Sequence, residues 1–152
     1  MRTPVLTLVL GAFALQAADP KDPVLWKAER LKEYDKSAAS KLNPERHLGT
    51  ERLMDSAFLL YRNGPSEGEI HIKDADFIVF REGEGIVLIG GKLVNGKDSA
   101  PGEMRGPSIE GGTKYTVKAG DSIYVPANTP HQFQVEPGKS FTAIIIKVTP
   151  KP

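Results

Sequence analysis

Val24, Ala28, Leu31, Ala38 and Leu42 recur at helical spacing, with Lys27, Glu29, Arg30, Lys32, Glu33 and Lys36 on the other face, the layout of an amphipathic helix. Asp22-Pro23 opens it, because an aspartate side chain accepts from the free N–H groups of a first turn and proline there gives up a donor that has no partner. Asn43-Pro44 ends it. A second, weaker helical stretch is predicted over 45–55, with His47 as a surface residue. From Ser56 the texture changes to short β-branched and aromatic runs at 58–61, 69–72, 76–80, 86–89, 113–117, 122–125, 131–135 and 141–148. Turn residues separate them: Asn63-Gly64-Pro65, Gly83, Gly90-Gly91, Asn95-Gly96, Ala119-Gly120, Pro126-Ala127-Asn128 and Pro137-Gly138. With no helices between them, these strands predict an all-β antiparallel sandwich or small barrel and exclude a parallel α/β fold.

In the last strand Phe141, Ala143 and Ile145 alternate with Ile144, Ile146 and Val148. A strand apolar on both faces must be covered on both, by the N-terminal helix, by a second subunit, or by both, and a homodimer is expected. The segment 92–112 is rich in Gly and Pro and reads as a long functional loop carrying Glu103, Met104, Arg105 and Gly106.

Residues 1–18 hold one early cation, Arg2, then an apolar run from Val5 to Leu15, then Ala17 and Ala18 ahead of Asp19. That is the pattern of a secretory signal peptide, and the run is shorter than the ~20 residues a membrane span needs. The chain divides into this leader, a helical extension over 19–55 and a barrel over 56–152, and a secreted or periplasmic location is expected, with no membrane association after cleavage. Lys plus Arg number 20 against 19 Asp plus Glu, with no basic stripe, so nucleic acid is excluded as a partner. With no cysteine there are no disulfides or thiolate sites, and any metal must be held by His and carboxylates.

The candidate chemistry lies in four residues. Glu69 and His71 are two apart on one strand, so both side chains leave the same face. Asp76 lies five beyond His71, on the opposite face of an unbroken strand, but the Lys73-Asp74 step supplies a turn that resets the parity. Asp76, Ile78 and Phe80 then share one face, the interior if Asp76 is a ligand. Gly120, Pro126, Asn128 and His131 follow in the second half.

At these residues the sequence resembles the cupin family. Cupins carry a first motif of Gly, His-x-His, Glu and Gly and a second of Gly, Pro-x-Gly, His and Asn. The second is matched by Gly120, Pro126 and His131, with Asn128 in place of the Gly, since both tolerate positive φ, and Val135 in place of the final Asn. In the first, Asp76 stands where the family has Glu, with six residues between it and Gly83. His71 falls on the second His and Glu69 occupies the place of the first. The resemblance covers 58–148 and implies a jelly-roll barrel, or double-stranded β-helix. It also implies a divalent metal, Mn, Fe or Zn, held by His71, Asp76 and His131, with Glu69 as fourth ligand or as general base; this set contains the two-His-one-carboxylate triad of non-haem iron. Arg105 either pins a substrate carboxylate or ties its loop to a neighbouring one, and Tyr124 and Gln134 line the pocket. The expected function is an exported metal-dependent enzyme, dioxygenase-like, acting on a small polar or aromatic molecule. The alternatives are a non-catalytic barrel that binds a sugar or phenolic ligand, a metal-dependent isomerase or lyase, and a purely structural dimeric barrel.

Overall fold

The computed structural model describes residues 19–151, so the leader read over 1–18 lies outside the described residues. Among the described residues one helix, α1 (Ala28–Ser40), precedes twelve strands: β1 (Leu48–Met54), β2 (Ala57–Arg62), β3 (Gly68–His71), β4 (Ala75–Ile89), β5 (Lys92–Val94), β6 (Lys97–Ala100), β7 (Glu103–Gly106), β8 (Ser108–Glu110), β9 (Thr113–Lys118), β10 (Ser122–Val125), β11 (His131–Gln134) and β12 (Phe141–Val148). The main sheet runs β1-β2-β12-β4-β11-β3-β7-β6, with β9 and β10 also on β4, and β5 and β8 form a separate ribbon. All pairs are antiparallel. The architecture is a curled jelly-roll half-barrel with one helix on its outside.

β4 makes the curl. Its first half pairs with β12 and β10, its second with β9 and β11. The bend falls where the β4–β12 register slips, between Phe80 and Glu82. The extra residue moves the inward positions from Asp76, Ile78 and Phe80 to Gly85 and Val87. Gly83 sits there at φ 72°, and a β-carbon on it would lie 1.9 Å from the Ser140 carbonyl oxygen, so only glycine lets β4 pass this close to the chain entering β12. Inward residues from both halves build the core, with Phe80, Phe133 and Phe141 at 5.3–5.6 Å centroid spacing among Leu60, Ile78, Val87, Val117, Val125 and Ala143.

α1 covers the outer face of β1 and β2. Ala38 and Leu59 are fully buried in that contact, and Gly49 admits the helix, since a β-carbon there would collide with the Ala38 carbonyl. Arg81 on β4 reaches across to the buried Asp35 of α1 with Nη2–Oδ2 at 2.9 Å and Nε within 3.3 Å of both carboxylate oxygens. The helix packs on β1 and β2 and is not the outer cover expected for β12, where Ile144 and Ile146 stay half-buried and Val148 exposed, with Phe77 and Tyr124 exposed beside them.

Four sequence expectations are corrected. The helix starts at Ala28 and not at Asp22-Pro23: Val24 and Leu25 are exposed, so a first turn there would gain nothing by packing. The stretch 45–55 is not helical. It holds β1, paired along β2 from Leu48↔Arg62 to Met54↔Ala57, a tertiary pairing that overrides weak helix propensity. The runs 76–80 and 86–89 are one strand, bent rather than broken at Gly83. The segment 92–112 is not one loop but β5 to β8, strands of three or four residues that are too short to show periodicity.

Candidate metal centre

β3 lies between β11 and β7, with His131 opposite Glu69 on one side, and Arg105 opposite Glu69 and Glu103 opposite His71 on the other. Residues opposite one another on paired strands share a face, so five polar side chains enter the interior together. β3 ends at His71 and β4 starts at Ala75. The turn between them brings Asp76 to the interior, as the Lys73-Asp74 step predicts. Asn128 holds φ 58°, the left-handed region that lets it stand in for glycine, and its N–H donates to the His71 carbonyl at 2.7 Å. One backbone bond thereby ties the turn before His131 to the strand end that carries His71.

Both imidazoles are held by Nδ1. In His131 this atom lies 3.1 Å from the Thr129 carbonyl oxygen, to which it donates. In His71 it lies 2.6 Å from Glu103 Oε2. Such outer hydrogen bonds turn Nε2 toward a common point. His131 Nε2 is buried without a hydrogen bond, with Glu69 Oε1 and Asp76 Oδ2 each at 3.5 Å. His71 Nε2 is 3.2 Å from the same Asp76 Oδ2. Glu69, His71 and His131 each offer a ligand atom within 4.8 Å of the others.

The electrostatics follow from this clustering. Burial acts to raise the Glu69 pKa, but His131, Arg105 and His71 outweigh it and hold the carboxyl down to about 2. Burial acts the same way on Asp76 and is outweighed by His131, His71 and Lys147, which hold it below the usual carboxylate range. For His131 burial acts downward, and the Asp76 and Glu69 carboxylates prevail, raising it to about 9. Two anions thus surround a proton that a divalent cation could replace. Two imidazoles presenting Nε2, an unsatisfied nitrogen among them, and two ionised carboxylates fit a first-row divalent ion.

Sequence reasoning assigns Glu69, His71, Asp76 and His131 to one place, and the structure joins them. Arg105 is there too, its Nη1 2.8 Å from Glu69 Oε2, the loop-to-carboxylate tie that is one of its two expected uses. Tyr124 and Gln134 are not. Tyr124 pairs with Phe77 and both are exposed, while its neighbour Val125 pairs with Asp76 and faces in. Gln134 alternates with the inward His131 and Phe133 and lines a separate surface cleft with Glu84 and Lys139. In each case the period of two puts the side chain on the far face.

Sequence reasoning misses three charged residues. Glu103 shares the two-residue spacing with Arg105 that Glu69 has with His71, a signal hidden by reading 92–112 as a loop. Lys147 continues the inward series Phe141, Ala143, Ile145, and its Nζ is 2.6 Å from Asp76 Oδ1. Arg62 continues Phe58 and Leu60 and is buried. All three line the same cavity of about 250 Å³ as Glu69, His71 and Asp76. His47, expected at the surface, is half-buried at φ 51°, with its ring packed where a Gly64 β-carbon would stand.

Residues 105–147 match the family described as Cupin domain. No curated protein matches the chain. Among solved structures, a Bacillus halodurans protein is 15% identical with a TM-score of 0.55 over 90% of this chain and 88% of its own. A protein from Thermus thermophilus is 17% identical with a TM-score of 0.53 over 80% and 95%. The polyketide cyclase RemF from Streptomyces resistomycificus is 16% identical over 70% and 69%, with a TM-score of 0.49. The chain has the cupin fold.

Proposed function

We propose that this protein is an exported metal-binding cupin that acts on a small molecule in the cavity beside Glu69, His71, Asp76 and His131. The observation that carries this reading is His131 Nε2, fully buried, without a hydrogen bond, and turned to the point that His71 Nε2 and a Glu69 oxygen also face. The nearest groups to that nitrogen are the Glu69 and Asp76 oxygens, each at 3.5 Å, and a divalent cation, Mn, Fe or Zn, would give it a direct partner. Such an ion supplies Lewis acidity and, when ferrous, redox chemistry toward O₂, which makes a dioxygenase-like oxidoreductase the leading assignment over an isomerase or lyase.

The protein's own side chains do the rest. Glu103 and the Thr129 carbonyl orient the two imidazoles. A Glu69 carboxyl held down to about 2 is a weak base, which favours ligation over proton abstraction. Leu48, Phe58, Leu60, Phe133 and Ile145 make the other, apolar wall of the cavity. Purified protein should carry close to one Mn, Fe or Zn per chain, lost in His131→Ala. A folded wild-type barrel that takes up none of these ions removes the reading.

A second reading, a binding barrel without turnover, draws on the ion pairs Arg105–Glu69 and Lys147–Asp76, which satisfy both carboxylates with no metal present. It predicts ligand binding unchanged by chelators. The leader pattern of 1–18 supports export, and secretion of a reporter fused to it tests that. The exposed Phe77, Tyr124 and Val148 beside half-buried Ile144 and Ile146 support a homodimer; a monomer in sedimentation equilibrium at high concentration would remove it.

A further inference from the structure

Arg62 is 5% exposed. Its Nη1 donates to the Arg46 carbonyl at 3.2 Å, its guanidinium carbon lies 5.6 Å from the centre of the Phe133 ring, and its Nε is buried with no partner. Among the described residues no carboxylate stands within 4.0 Å of it, whereas the other two cations of the cavity, Arg105 and Lys147, are paired. Burial lowers its pKa to about 10, so it stays charged at neutral pH. A cation taken out of water without a paired counter-ion costs several kcal/mol, and only one carbonyl hydrogen bond, the Phe133 ring and the longer-range charge of Glu69 stand against that cost.

The charges of the cavity point the same way. Arg62, Arg105 and Lys147 balance Glu69, Asp76 and Glu103, so a divalent ion on the histidines leaves an excess positive charge. Arg62 and Arg105 also line an outer cleft of about 540 Å³ with Arg46, Glu45 and Glu67, so both guanidinium groups can be reached from outside through a rim of mixed charge.

We propose that the ligand of this cavity is a small organic carboxylate whose anionic group is taken by Arg62, with Arg105 beside it, and whose apolar body lies against Leu48, Phe58, Leu60 and Phe133. The planar fork of a guanidinium matches a carboxylate. The apolar wall and the volume of about 250 Å³ suit a compact organic acid. The inference rests on the proposal that this cavity is the ligand site, and it makes Arg62 the residue that selects for charge.

The test is calorimetric titration of the full chain, metal-loaded and metal-stripped, with benzoate and isobutyrate, with their neutral amides, and with inorganic phosphate. At least one carboxylate should bind about tenfold or more tighter than its amide, the fold-change expected for a charge-assisted pair. Arg62→Gln should abolish that preference with metal content unchanged, and Arg62→Lys should restore part of it. Equal affinity for acid and amide, phosphate binding tighter than both acids, or Arg62→Gln retaining the preference within about twofold would overturn the proposal. If Arg62→Gln does not fold, the Arg62 Nε–H resonance of the wild type decides: it should move with carboxylate and not with amide, and no movement with either overturns the proposal. A barrel that holds no metal but still prefers carboxylates through Arg62 removes the metal reading and keeps this one; a barrel that holds metal without the preference does the reverse.

Discussion

The interior of this barrel has two sides built by the same rule and filled with opposite chemistry. Toward β4, β9 and β10 the inward positions carry Ile78, Phe80, Val87, Val117 and Val125, packed into one buried hydrophobic cluster. Toward β3 and β7 they carry Glu69, His71, Glu103 and Arg105, joined by His131 and Asp76. The aliphatic side stabilises by burial that no single residue controls, at roughly 25 cal/mol per Å² of apolar surface. The polar side holds charges that exist in pairs and threes, each partner defining the others, so one change there redistributes protons and ligands while the packing persists.

That contrast can be broken in order of effect. Phe141→Ala, in the aromatic cluster, should destabilise by about 3–5 kcal/mol, read by chemical denaturation, equally with and without added metal. A loss much larger in the metal-loaded protein would show that the two sides are energetically one unit. Glu103→Gln should leave stability nearly unchanged yet weaken metal affinity roughly 10- to 100-fold, because the neutral amide holds the His71 ring less firmly; competition with a chelator measures this, and unchanged affinity would show that Glu103 does not position the ring. Asn128→Val should cost about 1–2 kcal/mol by forcing a β-branched residue into φ 58°, while Asn128→Gly stays close to neutral.

The smallest test is one of sign. The His131 pKa is raised from 6.5 to about 9, so in the metal-free barrel its contribution to stability is full below pH 6.5 and is lost as pH rises through about 9. Metal needs the same nitrogen deprotonated, so metal affinity should climb across that window while metal-free stability falls. Parallel pH slopes for the two measurements would separate His131 from the metal.

Much of this is legible in the sequence because strands alternate. The period of two puts Glu69 with His71 and Asp76 with Ile78 and Phe80, and the turn before Asp76 gives them a common side. The same rule, applied to Arg62 after Leu60 and to Lys147 after Ile145, turns both inward, but a charge at a strand end reads as solvated unless its neighbours are known. β1 reads as helix because Leu48, Thr50 and Arg52 make a weak alternation beside Glu45 and Glu51. Tyr124 and Gln134 go astray because proximity in sequence to a motif says nothing about which side of the strand a side chain leaves.

What the chain determined by itself was local: where backbone turns, which runs extend, and which side chains share a face, since φ preferences and the two-residue repeat act over a few neighbours. What only the folded molecule decided was company. Glu103 meets His71 across 32 residues, and Lys147 meets Asp76 from the far end of the barrel domain. Arg62 is left without an anion because of which strands happen to flank it. Strand pairing is set by the summed packing of the whole core, and no single strand's composition encodes its partner.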